Sequence, residues 1–207
     1  MKKLRLLLLI CLSNQVFGQN IVGFQLGCSL NMLSATETVG YKPGVNLSCT
    51  YQVALNNRIQ MVMGLAYLEK GYLQKSPITV NPFSSYMGSY DNSIDIKYLR
   101  LPISMKLPVG SIGKSLFSIQ IGIYGAYRMS ASQYLMSDLQ SKRDFTNNVH
   151  EVDWGTNGAL NAEYRLKNNL SFTGSFAIDA GLVDVIKYIP GTRNYGCGLM
   201  FGLQYQL

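Results

Sequence analysis

The feature that most constrains the fold is an alternation of apolar and polar residues with a period of two. It is clearest in residues 116–130, where the apolar side chains fall on one face of an extended chain: Phe117, Ile119, Ile121, Ile123, Tyr127 and Met129. The residues between them are small or polar, apart from Tyr124. No helical period of 3.6 residues fits this segment, so the pattern predicts a β-strand.

The same alternation occurs eight times after residue 20. The predicted strands cover about 21–33, 41–54, 58–70, 96–108, 116–130, 150–166, 170–184 and 194–207. Short connections at 55–57, 110–114 and 167–169 alternate with longer ones at 34–40, 71–95, 132–149 and 185–193. This asymmetry is typical of an up-and-down barrel with short turns at one end and longer loops at the other.

The first residues differ from the rest and predict a cleavable signal peptide over 1–18, cut before Gln19. Basic residues precede a short apolar run that ends in small residues: Lys2, Lys3 and Arg5, then 6–12, then Val16-Phe17-Gly18. The run is well below the ~20 residues that a spanning helix needs. A lipoprotein would use Cys11, but the bulky Ile10 before it disfavours that alternative. The mature domain would then cover 19–207.

Composition narrows the class of protein. Charged residues make up 14% of the chain, against about a quarter in soluble domains. The 18 basic and 11 acidic residues give +7, and loss of three basic residues with the signal peptide leaves 15 − 11 = +4. No run is rich in Lys or Arg, so nucleic acid is not an expected partner. Beyond the signal peptide no apolar run is long enough for a helical span, so a membrane protein would have to span with strands.

Alternation alone fits both a soluble sandwich and a membrane barrel, and the aromatic residues decide between them. On the apolar faces they recur ten positions apart: Tyr41 and Tyr51, Phe117 and Tyr127, Trp154 and Tyr164, Tyr195 and Tyr205. Ten strand residues rise about 34 Å, or about 24 Å at a tilt near 45°. Outer-membrane barrels have an apolar band of about 25 Å between two aromatic girdles. The sequence therefore predicts an all-β, eight-stranded antiparallel transmembrane β-barrel in outer-membrane lipid.

Five stretches of the mature chain also resemble a known family. They are residues 23–31, 67–71, 98–103, 122–127 and 198–205. In them the chain resembles the PorT-like outer-membrane β-barrel proteins, which are similar in architecture to small OmpX- and OmpA-type barrels. The resemblance implies a barrel in the bacterial outer membrane. One member of the family is linked to protein secretion, but no residue of this chain carries that role over.

Charged residues on the polar faces are expected to point into the barrel. They are Arg100, Lys106, Arg128, Asp153, Glu163, Arg165 and Asp179. If Tyr127 and Trp154 share a girdle, Arg128 lies opposite Asp153, and the same register sets Asp179 opposite Asn157. An eight-stranded barrel is only wide enough for side chains to fill it, which favours a salt-bridged interior. A gated path for ions or small solutes is the alternative.

No residue pattern predicts a catalytic, cofactor or metal site. His150 is the only histidine, and Glu151 and Val152 follow it rather than a serine nucleophile. Cys28, Cys49 and Cys197 are expected to face lipid as small apolar residues. A hairpin about 34–40 would set Cys28 nearly opposite Cys49, where a disulfide is the alternative.

The 71–95 connection is the best candidate for a surface-binding loop. It contains the aromatic residues Tyr72, Phe83, Tyr86 and Tyr90, which could contact a protein or glycan partner or pack on one another. The function expected from the sequence is a monomeric, non-enzymatic barrel that anchors in the outer membrane and presents loops for binding or for envelope or secretion assembly. An enzyme acting on lipid or peptide at the outer rim and a narrow solute channel are the alternatives.

Overall fold

A computed structural model describes residues 20–34, 39–56, 58–75, 91–136 and 141–207. The predicted signal peptide and three of the candidate loop aromatics, Phe83, Tyr86 and Tyr90, lie outside these residues.

Ten strands make up nearly all of the described structure. They are β1 Ile21–Leu33, β2 Val39–Gly40, β3 Lys42–Ala54, β4 Gln60–Lys75, β5 Asp91–Ile112, β6 Ser115–Met136, β7 Ser141–Asp144, β8 Val152–Arg165, β9 Leu170–Gly181 and β10 Asn194–Gln206. A single 3-10 turn covers Thr146–Asn148. The described part of the chain contains no helix long and apolar enough to cross a bilayer.

Eight of these strands form one closed antiparallel barrel. Their order is β4, β3, β1, β10, β9, β8, β6, β5, and pairing of β5 with β4 closes the sheet. The predicted eight-stranded barrel is therefore confirmed. The two short strands extend the wall at one end, where β2 pairs with β4 and β7 pairs with β6.

The two ends of the barrel differ. One end has the tight connections 55–59, 113–114 and 166–169, and there the Leu207 amide donates to the Asn20 carbonyl at 2.8 Å. The other end carries the longer segments, including 145–151 and 182–193. Outer-membrane barrels place short turns in the periplasm and longer segments outside, so we call these the periplasmic end and the outer end.

Apolar side chains cover the outside of the barrel and polar ones line the inside. Ile119, Ile121 and Phe201 are exposed on the outer wall, as expected of a barrel in lipid and contrary to a soluble core. The eight candidate girdle aromatics also lie in the outward phase of the wall, with Tyr51 half-buried and the others exposed. Near the periplasmic end, Val22 pairs with both Tyr51 and Tyr205, so these two rings lie at the same level.

Several strands are longer than the alternation predicted. Residues 71–75 and 91–95 pair with each other as extensions of β4 and β5, so the connection is limited to 76–90. Likewise β6 continues to Met136 and pairs with β7, inside the predicted 132–149 loop. A strand beyond the bilayer keeps its backbone ladder without needing an apolar face, so apolar alternation underestimates its length.

The cysteine register also differs from the prediction. Cys28 pairs with Val45, and Cys49 pairs with Phe24, so the two cysteines are four positions apart along the ladder. All three described cysteines are free. A hairpin about 34–40 sets Leu33 opposite Tyr41 and therefore Cys28 opposite Asn46, one position from its observed partner, so opposition of the two cysteines does not follow from that hairpin.

Candidate functional site

The barrel interior is closed near the periplasmic end by a buried ion pair. Lys106 of β5 donates to the carboxylate of Glu163 on β8 and, at 3.0 Å, to the Gln52 side chain on β3. All three side chains are buried. An isolated charge buried at this place would be energetically costly. Here the Glu163 carboxylate and the Gln52 amide oxygen, from two other strands, both accept hydrogen bonds from the Lys106 ammonium.

A second ion pair lies further towards the outer end. The Arg100 guanidinium makes a bidentate pair with Asp179, with Nη–Oδ distances of 2.8 and 2.9 Å. Its Cζ lies 4.0 Å from the centre of the Tyr124 ring, and the Lys70 ammonium lies 5.0 Å from the same centre. This arrangement combines fork geometry with cation–π contact, which makes the pair specific to arginine.

Asp153 interacts with residues around the Arg100–Asp179 pair and not with Arg128. Its Oδ2 accepts from Asn194 Nδ2 at 2.9 Å and lies 4.0 Å from the Lys70 ammonium. The predicted pairing with Arg128 is wrong, because Asp153 lies opposite Ala126 on β6. Aromatic girdles are bands rather than lines, so alignment of two rings leaves the register uncertain by two residues.

Sequence reasoning missed Lys70. It is fully inside the barrel, in phase with Ala66 and Leu68, and it contacts both Tyr124 and Asp153. Counting inward positions along the predicted 58–70 strand would have found it. Conversely, Arg165 is in the inward phase, but it ends β8 at the periplasmic rim and is exposed to water. It is therefore not part of the buried network.

A small polar cavity of about 100 Å³ lies between the two ion pairs. Arg100 and Asp179 border it, together with Asn157 and Asn161. Asn157 Oδ1 and Asn161 Nδ2 are buried and have no hydrogen-bond partner among the residues that the structure describes. The predicted register of Asp179 opposite Asn157 is confirmed. The cavity has the size and polar lining that suit a few ordered waters.

The outer end of the lumen is closed by an apolar cap. Its core residues come from four strands and from the segments between them: Leu33, Tyr72, Ile94, Ile96, Tyr98, Ala131, Val149, Val185 and Ile186. A β-bridge joins Val149 to Ile186 across the mouth. Tyr72 is only 5% exposed and packs in this cap, so its predicted place on a surface loop is wrong. The extension of β4 places it inside the barrel wall.

Arg128 forms hydrogen bonds to the backbone of the segment that carries Val149 of the cap. Its guanidinium donates to the carbonyls of Thr146 and Val149, and no carboxylate of the described residues pairs with it. The Thr146 hydroxyl donates to the Ala131 carbonyl, and the Thr146 amide donates to Asp144 Oδ1 at 2.9 Å. Hydrogen bonds from Thr146 lower the pKa of the Asp144 carboxyl, which lies outside the membrane-spanning wall. The 145–149 segment is thus fixed to the barrel by polar contacts as well as by apolar packing.

His150 follows this segment and is exposed at the outer end. Within the described ranges no group of three His, Cys, Asp or Glu side chains could hold a metal ion.

Three solved structures have the same fold at low sequence identity. Neisserial surface protein A is 11% identical, with a TM-score of 0.54 over 90% of this chain and 97% of that one. OprG from Pseudomonas aeruginosa is 14% identical, with a TM-score of 0.52 over 92% and 96%. A major outer membrane protein from Thermus thermophilus is 13% identical, with a TM-score of 0.51 over 90% and 99%. These likenesses show the fold alone.

The comparison with curated proteins gave no significant match. A family profile described as "Outer membrane protein beta-barrel domain" matches residues 17–187, most of the chain. The match agrees with the closed wall of eight strands, the apolar outer face and the polar interior. The chain therefore belongs to the outer membrane protein β-barrel domain family.

Proposed function

We propose that the protein is a non-conducting, non-enzymatic anchor in the bacterial outer membrane that presents its outer segments for binding. The observation that carries this proposal is the filled interior. The Lys106–Glu163 pair lies near one end, the apolar cap covers the other, and Arg100–Asp179 lies between them. With the interior filled, the outer surface is where this barrel would meet a partner.

The filled interior argues against the channel alternative. A solute entering from outside would have to displace the cap around Ile96 and Val149, both with no exposed surface. It would then have to separate two ion pairs whose charges are matched to each other. The cavity beside the Arg100–Asp179 pair holds about 100 Å³, enough for waters but too small to form a continuous path.

The chemistry at His150 argues against the enzyme alternative. The groove that His150 borders is lined otherwise by Val152, Trp154, Leu182, Val183, Asp184 and Arg193. None of these is a serine, threonine or cysteine that histidine could activate as a nucleophile. A hydrolase at this rim would need a nucleophile from elsewhere.

The binding element of the proposal is the 76–90 connection, with Phe83, Tyr86 and Tyr90 as its aromatic contacts. The ladder between β4 and β5 is paired up to Lys75 and Asp91, so this connection is attached to a rigid base. Aromatic residues supply large contact area at low entropic cost, which suits a protein or a glycan partner. Tyr72 is not part of this element.

The finer assignments follow from the sequence. We infer that residues 1–18 direct export and are removed, and that the chain is PorT-like, with a role in secretion or envelope assembly. The basic start and short apolar run support the first inference, and the resemblance of residues 23–31 and 198–205 supports the second. We also infer that the barrel is a monomer, because its sheet closes on itself and leaves no wall edge to pair.

A pull-down from envelope extracts tests the binding element. One bait is the full chain, and the other has residues 76–90 replaced by a short Gly-Ser linker. We expect the linker variant and a Phe83→Ser/Tyr86→Ser/Tyr90→Ser variant to lose the same captured partner while both remain folded barrels. Deletion of 71–95 is unsuitable, since it would remove Tyr72 and Ile94 from the cap. Equal recovery by all baits would overturn the role of this connection.

Planar-bilayer recording tests the non-conducting element. We expect no discrete conductance steps from the purified full chain. Steps that change when Asp153 is replaced by Asn would establish a path through the lumen and overturn the proposal.

A further inference from the structure

The ladder between β8 and β9 ends at Gly155 and Gly181, and two backbone hydrogen bonds continue the contact towards the outer end. The Leu182 amide donates to the Trp154 carbonyl and the His150 amide donates to the Val185 carbonyl, both at 2.9 Å. Three residues, 151–153, separate these bonds on one side, but only Val183 and Asp184 separate them on the other. The backbone bonds on the two sides of 151–153 therefore differ in register by one residue.

This stretch borders a groove of about 450 Å³ on the outside of the barrel at its outer end. The floor of the groove is apolar, formed by Val152, Trp154 and Leu182, which are exposed on the lipid-facing wall. Its rim is polar, formed by His150, Asp184 and Arg193. Because Trp154 belongs to the outer ring of girdle aromatics, the groove lies where headgroups meet acyl chains.

The rim carries one acidic and one basic side chain, Asp184 and Arg193. Asp184 Oδ1 accepts the Gly191 amide at 3.0 Å, so a backbone donor already binds its carboxylate. The backbone of Arg193 is held by Ser34, whose amide donates to the Arg193 carbonyl at 2.9 Å and whose hydroxyl accepts the Arg193 amide at 3.0 Å. In the described ranges no carboxylate lies within 4.0 Å of the Arg193 guanidinium. A fixed backbone that presents a guanidinium at the rim of the groove suits recognition of an anion.

We propose that this groove binds an outer-leaflet lipid that carries a phosphate group. Arg193 and His150 donate to the phosphate, and the floor formed by Val152, Trp154 and Leu182 holds the first part of an acyl chain. Arginine is the residue best suited to phosphate because its planar fork binds two oxygens at once. A soluble anion would not need the apolar floor, and an uncharged lipid would not need the cationic rim. A lipid with a phosphate group would use both the apolar floor and the arginine of the rim.

Trp154 provides a direct test, because it is the only tryptophan in the chain and lies in the groove floor. The full mature chain is folded in a maltoside detergent and titrated with phosphatidic acid that carries brominated acyl chains, which quench tryptophan on contact. Diacylglycerol with the same chains serves as the uncharged lipid. We expect phosphatidic acid to quench at a mole fraction about fivefold lower, since the phosphate adds charge-assisted hydrogen bonds to the same apolar contact.

Two arginine variants distinguish a specific site at Arg193 from a general attraction of anionic lipid to a basic protein. Arg193→Gln should abolish the advantage of phosphatidic acid, while Arg165→Gln, an exposed arginine at the periplasmic end, should keep it. Both variants lose one positive charge. Equal quenching by the two lipids in the original chain would overturn the proposal, as would an unchanged advantage in Arg193→Gln. Complete displacement by inorganic phosphate at millimolar concentration would also overturn it, because the acyl chain would then contribute nothing.

Discussion

At the periplasmic end the lumen is closed by Lys106, Glu163 and Gln52, whereas at the outer end it is closed by apolar residues such as Ile96 and Val149. The first closure consists of side chains on three barrel strands. The second takes Val149, Val185 and Ile186 from segments that leave the strands and fold over the mouth. One end is thus closed by charge within the wall, and the other by apolar packing partly outside it.

This difference separates what stabilises the whole barrel from what stabilises its outer segments. A buried ion pair that links distant strands is lost only when the wall itself opens, so it contributes to global stability. A cap made by connecting segments can open locally while the wall stays paired. We therefore expect substitutions at the two ends to differ in kind as well as in size.

The largest effect is expected from Glu163→Ala. It leaves the Lys106 ammonium buried with only the Gln52 oxygen as a partner, which should lower the free energy of unfolding by about 3–5 kcal/mol. The measurement is the urea midpoint of the folded barrel in detergent micelles. Arg165→Ala is the matched control, two residues along the same strand and exposed, and should cost about 0.5 kcal/mol or less.

The double variant Lys106→Met/Glu163→Met shows whether charge itself is needed at this end. Removing both charges also removes the desolvation cost, so we expect most of the lost stability to return. A double variant as unstable as Glu163→Ala alone would mean that packing, rather than the unpaired ammonium, explains the loss.

A smaller effect is expected at the outer end from Ile96→Ala. Ile96 has no exposed surface in the cap, and a cavity there should cost about 3 kcal/mol. Ile103→Ala is the control on the same strand, since Ile103 faces outward and detergent fills the space it leaves. Similar losses of unfolding free energy for the two variants would contradict a tightly packed cap.

The sequence predicted the wall much better than the cap. Alternation identifies which residues of a strand face inward, so Arg100, Lys106 and Glu163 could be placed inside the barrel before the structure was known. Alternation does not set the register between strands, and for this reason Asp153 was paired with Arg128 rather than with Asn194 and Lys70. The observed ladder places Ala126, and not Arg128, opposite Asp153.

The cap was not predicted, because its residues carry no periodic signal. Val149 and Ile186 lie in connecting segments, where two isolated apolar residues resemble ordinary loop positions. Their packing depends on a β-bridge between segments almost forty residues apart in sequence. Tyr72 illustrates a related limit, because it follows the last apolar alternation of its strand and the pattern alone predicts an exposed loop residue there. The groove beside Trp154 also lies in connecting segments, where backbone bonds beyond the β8–β9 ladder are one residue out of register.

The smallest effect is expected from Arg128→Gln, and it tests whether the cap opens independently. The substitution removes charge-assisted bonds to the Thr146 and Val149 carbonyls, but it also removes a buried cation whose Nε has no partner. These effects oppose each other, so we expect a local loss of about 1 kcal/mol and a nearly unchanged urea midpoint.

Hydrogen exchange at the His150 and Lys187 amides, which bond across the mouth, should accelerate about fivefold, while amides in the β1–β10 ladder should not change. Arg143→Gln, an exposed arginine of β7, is the control. If exchange accelerated equally in the β1–β10 ladder, the cap and the wall would form one cooperative unit, and the contrast between the two ends would be one of composition alone.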